Sequence, residues 1–453
     1  MRRNAKYWIV CAAALLAVLN PPAIRSQEAG EVKPAPYQTM WQDLEFGVII
    51  HFSTNTFLDR EWGDGTASPA TFNPAQFDPD QWMKAIRDSG AKYVVLVAKH
   101  HDGFCLWPTE QTNYSVKSSP WQNGKGDVVG DVARAARKYG LKFGVYLSPW
   151  DRHEPKYKDS AEYDKYYNAE LEELATNYGD LVEFWLDGAG SGGHIYNFPK
   201  IIETLRTYQP NTVVFADTAL FEYGDARWVG NEAGAVPYEN WNVIDRHGYR
   251  RWRPVESDTP LRKMHWFWHP NDEASLKSVQ ELLDTYDASV GRGAQLMLGL
   301  APDKRGLLPD SDVKRLEEFG AALQKRTKNN LALHAAATME IAPALDNDPD
   351  TFWSAPAGSH HAQLQITFDK PETFDHAVTM EWLNDGQHVE KYSIDVWDES
   401  ERKWKPVTQG YAIGHKKIDS FPAVTARSVR LNILSSTSEA HIREFQIFNW
   451  DNN

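Results

Sequence analysis

The sequence predicts an α/β protein: a (β/α)8-like barrel, with room for distortion, followed by an all-β sandwich. Three observations carry this. From about residue 40 to 325, short apolar runs alternate with longer amphipathic stretches. After about 330 the helical periodicity gives way to short β-like bursts between turn residues. The 453 residues suffice for a barrel of roughly 250 plus a second domain.

The apolar runs are Phe46–Phe52, Tyr93–Ala98, Phe143–Leu147, Leu181–Leu186, Thr212–Ala216, Arg227–Val229, Met264–Trp268 and Gln295–Leu300. Several are apolar throughout, as parallel strands covered on both faces require. Between them lie helical stretches with polar starts and glycine ends: one from Asp78 to Gly90, one from Asp127 to Gly140, one from Ser160 to Gly179. No helical stretch separates the fifth run from the sixth, which is where distortion is expected. An open doubly wound sheet is the competing topology. It calls for a glycine-rich turn after the first strand, and none follows Phe46–His51. In the C-terminal part, Leu364–Phe368, Ser393–Trp397, Ser428–Ile433 and Glu444–Asn449 read as sandwich strands. The expected division is 1–26 as a leader, 37–327 as the barrel and 331–453 as the sandwich, with Lys328-Asn329-Asn330 at the boundary.

Arg2, Arg3 and Lys6 precede the apolar run Ile9–Leu19, which is followed by Pro22, Ala23 and Ser26. A basic start, an apolar segment of this length and small residues after it describe a secretory leader. The run falls short of the ~20 residues that span a bilayer. An exported protein, periplasmic or extracellular after cleavage, is the expectation. Cys105 is then alone in the mature chain, so stability must come from core packing, not an internal disulfide. The net charge of -14 disfavours nucleic acid and anionic membranes, both of which need a basic footprint, and favours a neutral ligand.

Chemistry in a parallel barrel sits where the strands end. In order, the strand ends supply His51, then His100-His101-Asp102-Gly103-Phe104, then Tyr146 through Trp150, then Asp187-Gly188 and Asn231-Glu232. Two carboxylates on different strand ends are the minimum kit for glycosidic hydrolysis, and imidazoles and indoles suit a sugar's hydroxyls and apolar face. Each feature also has an ordinary structural reading. Asp187 alone could be a helix cap, Glu232 a solvated loop acid, and Trp266-Phe267-Trp268 core packing. Two other classes are open at this level: a non-catalytic carbohydrate-binding barrel, and a metal-dependent hydrolase using His51, His100, His101 and Asp187. The second lacks a supporting motif such as H-E-x-x-H.

Phe46-Gly47-Val48-Ile49-Ile50-His51-Phe52, Glu61-Trp62, Lys99-His100-His101-Asp102-Gly103-Phe104, Tyr146-Leu147-Ser148 and Phe184-Trp185-Leu186-Asp187-Gly188 resemble the α-L-fucosidases of glycoside hydrolase family 29. Leu298-Gly299-Leu300-Ala301-Pro302 and Gly306-Leu307-Leu308-Pro309 resemble the end of that catalytic domain. The resemblance implies a retaining, exo-acting hydrolase that takes a fucosylated oligosaccharide or glycoconjugate and needs no cofactor for the reaction. It implies Asp187 as nucleophile and a fucose pocket of His51, Glu61, Trp62, His100, His101, Tyr146 and Trp266. Trp228-Val229-Gly230-Asn231-Glu232 resembles the branch acting on α-1,3 and α-1,4 fucose, which makes Glu232 the acid/base; Glu222, Asp225 and Glu239 are competing acids nearby. The three histidines are expected to donate to fucose hydroxyls.

Ala344-Leu345-Asp346-Asn347-Asp348-Pro349-Asp350-Thr351-Phe352-Trp353-Ser354 and His441–Phe448 resemble the discoidin or carbohydrate-binding sandwich. That resemblance implies a candidate structural calcium near the Asp-rich turn. It implies either glycan binding or a buttress for the barrel, with the buttress favoured.

Overall fold

The structure, a computed structural model, describes residues 32–216, 224–246, 249–336 and 338–450. The expected leader, 1–26, and Glu222 lie outside the described residues. A short helix, α1 (Pro36–Gln42), precedes the barrel. Then come β1 (Phe46–Ile50), α2 (Thr54–Leu58), α3 (Pro79–Asp88), β2 (Tyr93–Lys99), α4 (Val128–Lys138), β3 (Lys142–Leu147), α5 (Ser160–Asn177), β4 (Glu183–Leu186), α6 (Phe198–Tyr208), β5 (Val213–Ala216) and β6 (Ala226–Trp228). A hairpin, β7 (Val243–Arg246) and β8 (Tyr249–Trp252), leads to β9 (Val255–Pro260), α7 (Val279–Ser289), β10 (Gln295–Leu300) and α8 (Asp310–Thr327).

Strands β1 to β6, β9 and β10 pair in parallel and close into a barrel, with β10 returning to β1 in the register Phe46↔Leu296 to Ile50↔Leu300. Alternation along each strand builds two separate cores. Val48, Ile50, Val94, Leu96, Phe184 and Leu298 face the helices. Ile49, Tyr93, Val95, Tyr146, Trp185 and Met297 fill the interior, with Trp41 of α1 packed among them. The helices start as their polar residues dictate: Asp78 accepts from the Gln81 amide and Asp127 from the Gly130 amide.

One strand differs from the sequence expectation. The seventh barrel strand is β9, Val255–Pro260, and Met264–Trp268 belongs to the loop beyond it. The reason is chemical. Glu256 and Asp258 point into the barrel, where indoles and a tyrosine hydroxyl satisfy them, so this buried strand is polar on its inner face. Residues 217–223, between the fifth and sixth strands where distortion is expected, lie outside the described residues; the β7–β8 hairpin is an insertion in the next connection, between β6 and β9.

The C-terminal part is an antiparallel sandwich built on β11 (Trp353–Ser354), β12 (Ala362–Glu381), β13 (Val389–Asp398), β14 (Lys403–Tyr411), β15 (Lys417–Ser436) and β16 (His441–Phe448), in sheet order β11-β16-β12-β15-β13-β14. Register shifts between Thr367 and Glu372 and between Phe374 and His376 interrupt the long β12–β15 pairing. Its core joins Trp353, Leu364, Ile366, Tyr392, Leu431 and Phe445. Polar contacts seat it on the barrel, on the side where β1 begins. His415 and Arg443 bond Asp43 at 2.8 and 2.6 Å, Lys416 pairs with Glu45 at 2.5 Å, and the Trp450 indole donates to the Arg326 carbonyl. That end of the barrel lies opposite the mouth where the strands finish. No helix among the described residues is long and apolar enough to cross a membrane.

Candidate active site

At the C-terminal mouth of the barrel lies a cavity of about 170 Å³. His51, Glu61, Trp62, His100, His101, Tyr146, Asp187, Glu232 and Trp266, the whole set singled out from the sequence, line it together. Ile49, Trp185, Ala189, Trp228 and Asp258 complete the wall. Of the competing acids, Asp225 is engaged at the start of β6, where the Tyr37 hydroxyl and the Val214 amide donate to it, and Glu239 accepts from the Trp241 indole.

Asp187 directly follows β4, and its two oxygens do different things. Oδ1 accepts from the Ala189 amide at 2.8 Å, the local cap expected of such an acid. Oδ2 accepts from the Tyr146 hydroxyl at 2.9 Å and lies 3.6 Å from Nε2 of His101. The carboxylate is therefore oriented from both sides and still faces the cavity.

Their surroundings push the three imidazoles at the mouth towards the neutral form. Burial, reinforced by the neighbouring His101, lowers His51 to about 3; burial carries His100 well below the ordinary imidazole range and also lowers His101 against the pull of Asp187. Nδ1 of both His51 and His100 is buried without a hydrogen-bond partner. An unpaired acceptor costs less there than an unpaired N–H, which favours the tautomer with its proton on Nε2 in both rings. His101 is the reverse. The Ser148 hydroxyl donates to the Trp150 carbonyl at 2.7 Å and so accepts from Nδ1 of His101, also at 2.7 Å. In the neutral form this leaves the lone pair of His101 on Nε2.

Glu61 accepts from the backbone amides of Trp266 and Phe267 at 2.9 and 3.2 Å and meets Nε2 of His269 at 2.6 Å. It is a wall of the cavity and also the anchor of the loop after β9. Trp266 fits because Gly299 of β10 is bare: a Cβ there would come within 2.6 Å of the indole. Trp62, half exposed at the rim, meets His101 and Trp150 edge-on at 5.2 and 5.5 Å. Glu232 lies on the exposed segment after β6, which is tied to β9 at both ends by Val229 N–H to Glu256 O and Gly234 N–H to Asp258 O, each 3.1 Å.

Asp258 was missed by sequence reading. It is 5% exposed, and its Oδ1 accepts from the Trp228 indole at 2.6 Å. The signal available was weak: acids at 256 and 258, at the spacing of one strand face. Among the described residues no three His, Cys, Asp or Glu side chains converge as metal ligands.

A closed parallel barrel whose mouth joins carboxylates, imidazoles and indoles around a cavity of monosaccharide scale is the architecture of a glycoside hydrolase. The family model for α-L-fucosidase matches residues 21–328, and that for the F5/8 type C domain matches 330–445. An α-L-fucosidase of Arabidopsis thaliana is 36% identical over 430 residues, covering 88% of this chain and 84% of the relative. A solved glycoside hydrolase 29 family member from an unknown rumen bacterium superposes with a TM-score of 0.82 at 34% identity, over 93% of this chain and 77% of that one. A family 29 fucosidase of Ruminococcus gnavus in complex with fucose gives a TM-score of 0.84 at 28% identity, over 93% and 96%. The chain belongs to the α-L-fucosidase family, glycoside hydrolase family 29, and carries a discoidin-like F5/8 type C domain behind its barrel.

Proposed function

We propose that this α-L-fucosidase is exo-acting and retaining, and that it releases terminal α-1,3- or α-1,4-linked fucose by double displacement. Asp187 attacks the anomeric carbon while Glu232 donates its proton to the leaving oxygen, so the glycosidic bond breaks as the Asp187–sugar ester forms. Water, deprotonated by Glu232, then displaces Asp187 and frees fucose with its configuration retained. The observation that carries this reading is that Asp187 after β4 and Glu232 after β6 line one small cavity. A pocket of that size favours a single terminal sugar over an internal residue of a chain. His51 and His100 would donate to fucose hydroxyls and His101 would accept from one. Trp62 and Trp266 would cover the apolar ring face and methyl group. The linkage assignment rests on Asn231-Glu232.

The test follows free fucose by NMR during hydrolysis of fucosyllactose isomers and Lewis trisaccharides. Initial release of α-fucose from 1,3- and 1,4-linked substrates is expected. Initial β-fucose would overturn retention, and preference for 1,2-linked substrate would overturn the linkage. Near-normal turnover by Asp187→Ala would remove the nucleophile.

Two further readings are ours as well. The chain is exported after loss of residues 1–26, which N-terminal sequencing of the mature protein checks. The F5/8 type C domain would hold calcium near its Asp-rich turn: the Glu444 carboxylate is buried, 3% exposed, and burial together with the Asp346 charge pushes it up to about 7. Carboxylate oxygens are hard donors of the kind calcium takes. Calcium would act there as a structural ion, far from the reaction, and calorimetry against calcium and magnesium tests it.

A further inference from the structure

We propose that Asp258 is a positioning residue for the general acid: its carboxyl locks the Trp228 indole, and through Trp228 the segment that carries Glu232. This rests on the reading of Glu232 as acid. Glu232 is exposed, and among the described residues none hydrogen-bonds its carboxyl. Its place is therefore set by the chain around it. That chain leaves the barrel at Trp228, four residues before Glu232, and is tied down again at Gly234. Asp258 meets it at both points: its side chain accepts the Trp228 N–H at 2.6 Å and its carbonyl accepts the Gly234 amide at 3.1 Å. Asp258, Trp228 and Glu232 form one side of the cavity.

The carboxyl also suits the task electrically. Burial, with the charges of Glu256 and Glu232 nearby, holds Asp258 well above the usual carboxylate range. A neutral group accepts the indole N–H through its carbonyl oxygen without adding a second negative charge beside Glu232, whose negative form must arise in every turnover.

A general acid matters most when the leaving group is poor. D258L and W228F are therefore compared on fucosyllactose and on an aryl fucoside with an activated leaving group, with E232A as reference. Each is expected to lower kcat/KM, which reports the first step, about tenfold or more on fucosyllactose, part of the roughly 100- to 10,000-fold that a general acid contributes, while kcat/KM on the aryl fucoside changes less than about threefold. D258N keeps the acceptor oxygen and is expected to recover most of the loss. Equal losses on the two substrates in D258L and W228F, beside a biased E232A, would overturn the inference and leave the acid assignment standing. An unbiased E232A would remove the acid assignment, and this inference with it. Should D258L fail to fold, W228F carries the same comparison.

Discussion

Glu61 and Trp266, 205 positions apart in the chain, are joined by a 2.9 Å hydrogen bond from the Trp266 amide to a Glu61 oxygen. A second amide, Phe267, and the His269 ring converge on the same carboxylate. One acid thus binds two loops of the mouth together and holds the indole over Gly299.

Removing that anchor should loosen the pocket more than it harms the chemistry. Hydrogen bonds to a charged group contribute about 1.5–3 kcal/mol each. Glu61→Ala is expected to raise KM for fucosides about 10- to 100-fold and to make the 262–272 loop more sensitive to proteolysis. An unchanged KM would contradict the anchoring role.

Tyr146 faces the other side of Asp187. Tyr146→Phe deletes the hydroxyl that donates to Oδ2 and keeps the buried ring. We expect kcat to fall about tenfold, the scale of one charge-assisted bond, with a small change in Tm. Pre-steady-state kinetics with an aryl fucoside would place the loss in the first, nucleophilic step.

Ser148 sets the His101 ring. Without its hydroxyl, Nδ1 loses its acceptor and the neutral ring is free to carry its proton on Nε2, towards Asp187. Ser148→Ala should raise KM several-fold, and ring-nitrogen shifts in 15N-histidine NMR spectra should report the tautomer change.

Acid should weaken the ligand-free fold. His51 and His100 have folded pKa values below the 6.5 of an unfolded histidine, so the unfolded state binds more protons below that point. Both contributions are complete above about pH 6.5 and are lost as pH falls below it, that of His51 down to about pH 3 and by up to about 1.4 kcal/mol per unit. Tm should drop between pH 7 and 5, and His51→Gln should drop less over that interval.

Much of the fold could be read locally. Apolar runs separated by capped helices located seven of the eight barrel strands to within a few residues, because most side chains of those strands meet apolar neighbours and their few buried polar groups do not break the run. Strand β9 escaped because its inner face bears Glu256 and Asp258. Apolarity marks burial only where the buried partners are themselves apolar, and here they are indole N–H groups contributed by β4 and β6. The aromatic run at 264–268 misled for the converse reason: its rings pack on the mouth, outside the sheet.

The amino-acid order by itself determined the alternation of strands and helices and the identity of the side chains that leave each strand end. Those depend on neighbours a few residues apart. Only the tertiary structure decided that these side chains share one cavity, that the Ser148 hydroxyl holds Nδ1 of His101, that Glu61 holds a loop, and that Asp258 joins the wall. Each of these is a relation between strands brought side by side when the barrel closes, and closure sets distances that no local pattern records.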